Sequence, residues 1–103
     1  MLSMLSPQAA ASASAKTRSF DFYEDPGHGW LKVPRKLLRE LRIEDKVSSY
    51  SYQYGDFAYL EEDCDMTLFE QAMAAAGWAL EYRRHTTDRT SRIRGYRSFE
   101  PKP

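Results

Sequence analysis

Phe69, Ala72, Met73 and Ala76 fall at i, i+3, i+4 and i+7, and Gly77 follows at once. That spacing lines apolar side chains along one face of a helix, and glycine supplies the left-handed residue on which helices commonly end. Asp63 or Asp65 stands where a cap would accept from the first free N–H groups, and the neighbouring acids suit the positive end of the helix dipole. A helix with a single apolar face has to be laid against another layer. The segments around this one alternate with period two, which makes that layer a sheet.

Phe20 and Phe22 alternate with Ser19 and Asp21, and Asp25-Pro26-Gly27-His28-Gly29 then breaks the pattern. Pro26 presets its φ and Gly27 can take the positive φ of a type II turn, so the chain reverses into Trp30 to Val33 as a second strand. Pro34 suits the first position of a helix over about 34 to 42, with Leu37, Leu38 and Leu41 as its apolar stripe. Val47 to Tyr54 alternates again, with Tyr50, Tyr52 and Tyr54 on one face, where aromatic rows usually serve as core or cross-strand packing. Gly55-Asp56 turns the chain into Phe57 to Leu60. Trp78, Leu80 and Tyr82 mark a fifth strand, and Arg92 to Phe99 a last one. The expected fold is α+β, a small antiparallel sheet with two helices on one face, in the order β-β-α-β-β-α-β-β. It fills a single domain over residues 20 to 100. The Ala/Ser-rich residues 1 to 19 have no periodic apolar face and are expected to form a disordered tail.

The 103 residues suit one core, and 42% hydrophobic content can fill it. No run of about 18 apolar residues exists to cross a membrane. Cys64, the single cysteine, has no partner within the chain, which fits a reducing, cytoplasmic setting. The formal charge is zero but unevenly spread: residues 21 to 82 carry 13 acids against 6 bases, and residues 83 to 103 carry 7 bases against 2 acids. An acidic body with a basic end can turn either pole to a partner.

The basic end is dense in phosphate-binding groups. Arg83, Arg84, Arg89, Arg92, Arg94 and Arg97 offer bidentate guanidinium forks among serine and threonine hydroxyls. In a strand, Arg92 and Arg94 share a face with Tyr96, a basic ladder beside a ring that can stack on a base. These residues are the candidate nucleic-acid-binding set. The alternative is a protein-interaction surface made by Glu61, Glu62, Asp63 and Asp65, docking on a basic face of a host protein, as an inhibitor would. No Walker, Gly-x-Ser-x-Gly, His-Glu-x-x-His or paired Cys-x-x-Cys spacing occurs. Carboxylates on both sides of Cys64 disfavour its thiolate. His28 with Asp25 nearby is the one acid/base-like pair, and it reads as a turn. His28 and His85 lack the close spacing of metal ligands, so no catalytic residue, metal or cofactor is expected.

The run Asp25-Pro26-Gly27-His28-Gly29-Trp30-Leu31-Lys32-Val33-Pro34-Arg35-Lys36-Leu37-Leu38, followed by Ser49-Tyr50-Ser51-Tyr52, Gly55 to Asp65 and Ser91-Arg92-Ile93-Arg94-Gly95-Tyr96, resembles a family of small proteins of phages, plasmids and proteobacterial genomes. The resemblance implies an accessory protein of a mobile element acting inside a bacterial cell, of a kind that commonly binds DNA or RNA or inhibits a host protein; the missing motifs make it non-enzymatic and the missing apolar run gives it no membrane partner. Val33-Pro34-Arg35-Lys36, Leu41, Ile43 and Gly55-Asp56 are locally similar to the swapped-hairpin DNA-binding proteins of the AbrB and MazE antitoxin type. That likeness implies a homodimer with DNA contacts near Lys32, Arg35 and Arg39. Arg42 stands where those proteins end the helix with glycine.

Overall fold

The computed structural model describes residues 16–102. In chain order it has β1 (Lys16–Glu24), β2 (Gly29–Pro34), α1 (Arg35–Glu40), a 3-10 turn (Glu44–Lys46), β3 (Tyr52–Tyr54), β4 (Phe57–Glu61), α2 (Met66–Ala75), β5 (Trp78–Thr86), a second 3-10 turn (Arg92–Gly95) and β6 (Arg97–Ser98). The strands form one six-stranded sheet in the order β5-β1-β2-β4-β3-β6. Residues 1 to 15 of the expected tail lie outside the described residues, while Lys16 to Ser19 are the first part of β1.

The fold is α+β, but the sheet is mixed rather than antiparallel. β1 pairs antiparallel with β2, and β2 with β4, whereas β5 runs parallel to β1. The reason lies in α2. It carries the chain from the end of β4 back over the sheet, so β5 must start at the same end as β4 and lie parallel to it, as in any strand-helix-strand crossover. On its way α2 covers β1 and β2. Phe69 and Met73, both fully buried, pack with Phe20, Phe22, Leu31 and Leu60. Phe69 meets the edge of Phe20 with ring centroids 5.2 Å apart. Leu37 and Leu38 of α1 close the same face over Val33 and Ala58.

Three local expectations give way to side-chain hydrogen bonds. Only Tyr52 to Tyr54 of the expected strand 47 to 54 is extended. Asp65 is the reason: instead of capping α2, its buried carboxylate accepts from the Ser48 N–H and hydroxyl and from the Ser51 hydroxyl at 2.5–3.1 Å, curling residues 48 to 51 into a turn. Arg92 to Gly95 is a 3-10 turn and not a strand, because the Ser91 hydroxyl accepts from the Ile93 N–H and Ile93 is buried. Gly27 does not take a positive φ. Its turn is shaped by Asp25, whose Oδ1 accepts from the Gly27 and His28 N–H groups at 3.0 Å each. What Gly27 provides is room, since a Cβ there would come within 2.7 Å of Arg94 Nη2.

Helix α1 ends on Arg42, which has φ +61°, in the left-handed region that glycine most readily fills. The Ile43 N–H bonds the Leu38 carbonyl at 2.9 Å, the closure such a residue permits. A side chain in that conformation is strained, and Arg42 is exposed, so nothing else holds it there. Arg42→Gly should therefore stabilise the fold by about 0.5–1 kcal/mol, and Arg42→Val should destabilise it by a similar amount or more. Urea unfolding monitored by tryptophan fluorescence measures both, and an Arg42→Gly variant no more stable than the parent would contradict the account.

Candidate functional site: the uncovered face of the sheet

The helices cover one face of the sheet. Period two sends the alternate side chains to the other: Asp21 and Tyr23 from β1, Trp30 and Lys32 from β2, Tyr52 and Tyr54 from β3, Phe57, Tyr59 and Glu61 from β4, Arg83 and His85 from β5. Trp30 stands opposite Glu61, and Tyr59 lies between Lys32 on one side and Tyr52 on the other. The strands of this region are apolar in both parities. Leu31 and Val33 feed the core beneath the helices, and Trp30 and Tyr59 begin a second, aromatic core with Ile93. Tyr50 and Tyr54, expected to pack inward, are the most exposed large apolar side chains, at 72% and 64%.

Residues 87 to 96 cross this face as a strap. Its start is held by the Thr87 N–H on the Glu24 carbonyl at 3.0 Å. Its middle is held by Asp25. The carboxylate, already engaged with its own turn, accepts from the Ser91 N–H at 2.9 Å and from Arg94 Nε and Nη2 at 2.7 and 2.8 Å. The Arg94 guanidinium lies 5.4 Å over the Trp30 ring. With Arg94 and three backbone N–H groups donating to it, the Asp25 carboxyl is held far below the usual carboxylate range despite its burial. Ile93 wedges between Trp30 and Tyr59 beneath the strap.

The strap divides the face into two concavities. On one side a groove of about 910 Å³ runs between the strap and the tip of the β3–β4 hairpin, with walls from Tyr23, Lys32, Tyr54, Phe57, Tyr59, His85, Arg89, Arg92 and Tyr96. Tyr54 and Tyr96 stack at 4.7 Å with planes 14° apart, and Tyr23 stacks on His85 at 4.7 Å and 18°. Burial, with Tyr96 and Tyr23 adding to it, pushes the Tyr59 phenol up to about 12, so it stays a neutral hydrogen-bonding group. Lys32 Nζ sits 4.3 Å over the Phe57 ring. On the other side a smaller recess of about 300 Å³ is bounded by His28, Trp30, Tyr52, Glu61, Asp63 and Arg94.

The arginines of the basic end separate into two groups. Arg83 is tied to Asp21 at 2.9 Å, Arg84 to Glu24 at 3.0 Å and Arg94 to Asp25. The Arg83 hydrogen bond, helped by His85, lowers the Asp21 carboxyl to about 2. Arg89 and Arg92 line the groove, and among the described residues neither has a carboxylate within 4.0 Å. Arg97 stands opposite Gln53, whose side chain meets Arg35 on the helix-covered side, so it faces away from the groove. The 3-10 turn breaks the expected ladder: Arg92 stays with Tyr96 in the groove, and Arg94 turns down onto Asp25.

The other candidates are also redistributed. Glu61 and Asp65 are buried, at 6% and 3% exposure, which leaves Glu62 and Asp63 as the outward part of the acidic set. Arg35, expected near DNA by the hairpin likeness, is 3% exposed. It bonds Gln53, Glu44 and the Glu100 carbonyl and lies over the Phe99 ring. Arg39 pairs with Glu44, so Lys32 alone of that trio reaches the groove. The His28 ring turns away from Asp25 and places Nδ1 3.0 Å from Glu61 Oε2. Desolvation and the neighbouring Glu61 raise the Cys64 thiol. Among the described residues no helix is long and apolar enough to cross a membrane. No family model, curated protein or solved structure matches this chain.

Sequence reading missed Tyr23, Trp30, Phe57 and Tyr59 as members of a site. The signal was present: both parities of β2 and β4 are apolar or aromatic, which a sheet with one solvated face does not need.

Asp25→Asn should cost about 2–4 kcal/mol at neutral pH, because an amide cannot accept from Arg94 and three N–H groups together. A carboxyl held below its ordinary value of 3.8 stabilises the fold fully above that value and loses the contribution as pH falls through it toward the lower folded value. The stability gap between parent and variant in urea titrations should therefore shrink as pH is lowered from about 4 to 2. A gap that stays constant over that range would refute the assignment.

Proposed function

We propose that this protein is a non-enzymatic nucleic-acid-binding protein that takes a single strand into the groove beside the strap. The observation that carries the reading is the composition of one concavity, in which Lys32, Arg89 and Arg92 outnumber the acids Glu24 and Asp56 and stand among the rings of Tyr23, Tyr54, Phe57 and Tyr96. Phosphates suit the cations, which lack acidic partners among the described residues, and bases suit the exposed Tyr54 ring and the half-buried rings beside it, since stacking tolerates any sequence. The stacked Tyr54–Tyr96 pair offers a rigid ledge whose geometry is set before a ligand arrives. A duplex fits less well, because a groove bounded by a strap and a hairpin tip admits a strand in preference to a cylinder. Binding of this kind, in the cytoplasm, agrees with the accessory role that the resemblance to phage and plasmid proteins implies.

The site set is accordingly narrower than the arginine run suggested. Arg89, Arg92 and Tyr96 remain, joined by Lys32, Tyr54 and Tyr23. Arg83, Arg84 and Arg94 act as structural ion pairs, and Arg97 is a natural control. Fluorescence anisotropy with a short single-stranded oligonucleotide at about 50 and 200 mM salt tests this. Contacts to three phosphates should give a log–log salt slope of about −2. The double variant Arg89→Ala, Arg92→Ala should reduce the slope by more than half and weaken binding at least tenfold, and Tyr54→Ala should weaken it about fivefold or more by loss of stacking. Arg97→Ala should bind as the parent does. No measurable binding at the lower salt, or equal loss on Arg97→Ala, would end the proposal.

A further inference from the structure

The recess on the far side of the strap holds a constellation that the groove reading does not use. The nitrogen of His28 and one carboxylate oxygen each from Glu61 and Asp63 lie within 4.8 Å of one another. They arrive from separate parts of the chain. His28 comes from the turn after β1, Glu61 from the last position of β4 and Asp63 from the turn that follows. We infer that these residues form a binding site for a divalent transition-metal cation, Zn²⁺ or Mn²⁺, with Trp30 in its wall. The inference stands on its own geometry and does not rest on nucleic-acid binding.

The donor positions are built rather than incidental. His28 Nδ1 and Glu61 Oε2 are hydrogen-bonded at 3.0 Å, so the two donors already converge, and an ion with bonds of about 2.0–2.2 Å would take the place of the shared proton as the pair opens slightly. Glu61 is 6% exposed, and its second oxygen accepts from the Asp63 N–H at 2.8 Å, which orients the first toward His28. The Glu61 carbonyl accepts from the Cys64 and Asp65 N–H groups at 3.2 and 2.9 Å, fixing the turn that carries Asp63. Asp25 holds the backbone of His28 in turn. Of the three side chains Glu61 is the one oriented by an outer hydrogen bond, the usual support of a metal ligand. Asp63 is exposed at the rim, with a carboxylate oxygen within 4.8 Å of the other two donors.

A second observation concerns the wall. Trp30 is 1% exposed and lines this recess, yet its indole Nε1 is buried without any hydrogen-bond partner. Orphaned buried donors are rare in folded proteins and call for an acceptor that the chain itself does not provide. Three protein donors leave open positions on the ion, and a water or anion held there supplies an oxygen inside the recess. The ligand set selects the ion class. Imidazole with two carboxylates suits Zn²⁺ or Mn²⁺, whereas Mg²⁺ and Ca²⁺ favour oxygen alone.

The test uses the full chain after dialysis against a chelator, titrated with ZnCl₂, MnCl₂ and MgCl₂ by calorimetry. Zn²⁺ or Mn²⁺ should bind at one equivalent and Mg²⁺ much more weakly. His28→Ala and Asp63→Asn, both surface changes, should each lower the affinity about tenfold or more. His85→Ala, whose imidazole lies against Asp21, should bind as the parent does. In ¹H–¹⁵N spectra Mn²⁺ should broaden the Trp30 indole resonance and leave that of Trp78 sharp. Absence of one-equivalent binding for both ions, or His28→Ala binding unchanged, would overturn the inference. The Arg89→Ala, Arg92→Ala double variant should keep full ion affinity, so loss of nucleic-acid binding and loss of ion binding are read separately.

Discussion

Everything on the uncovered face depends on one buried carboxylate. Burying Asp25 costs its hydration, and a lone ion pair would not repay that loss. Arg94 meets it with both prongs of its guanidinium, and the N–H groups of Gly27, His28 and Ser91 fill the remaining lone pairs. That satisfied network is worth more than any one of its bonds, because each donor also fixes a separate piece of chain. It shapes the turn into β2, sets the strap across the sheet and seats Arg94 over Trp30. The groove has a wall, and the recess a boundary, because this network closes.

The sheet beneath has two working faces. Under the helices, Phe20, Leu31, Leu60, Phe69 and Met73 make an aliphatic and aromatic core of the ordinary kind. On the other side Trp30, Tyr59 and Ile93 make a smaller core whose margins are wet tyrosines. The smaller core gives the strap an apolar footing, so the groove residues Arg89 and Arg92 are carried on a loop that is anchored at both ends. A loop anchored in this way can hold its arginines extended toward a ligand without first losing much conformational freedom on binding.

The elements legible in the sequence are those whose determinants are local. The stripe of α2 needed only Phe69, Ala72, Met73 and Gly77, and the breaks at residues 25 to 29 and 55 to 56 needed only their turn residues. What failed was long-range. Period two is the same for parallel and antiparallel strands, so Trp78 to Tyr82 showed a strand and not the direction of its neighbour. Arg92 and Arg94 alternated as a ladder would, but Asp25 and Ser91 bend that segment into a turn. Tyr50 left the expected strand because Asp65 draws Ser48 and Ser51 to itself. The arginines were found correctly as groups able to bind phosphate. Which of them are spent on Asp21 and Glu24 is a property of the β1–β5 pairing, and Arg94 is spent on Asp25 by the course of the strap. His28 shows no ligand spacing to Glu61 and Asp63 because the β2–β4 pairing, not chain proximity, brings it to those carboxylates.

The Asp25–Arg94 bond joins residues 69 positions apart. Closing so long a loop is entropically costly until the sheet between its ends already exists. The contact is therefore favourable only on a formed sheet, and both concavities belong to the completed fold. A partly folded molecule exposes the aromatic face without the arginines above it, so the site appears and disappears with the native state as a whole.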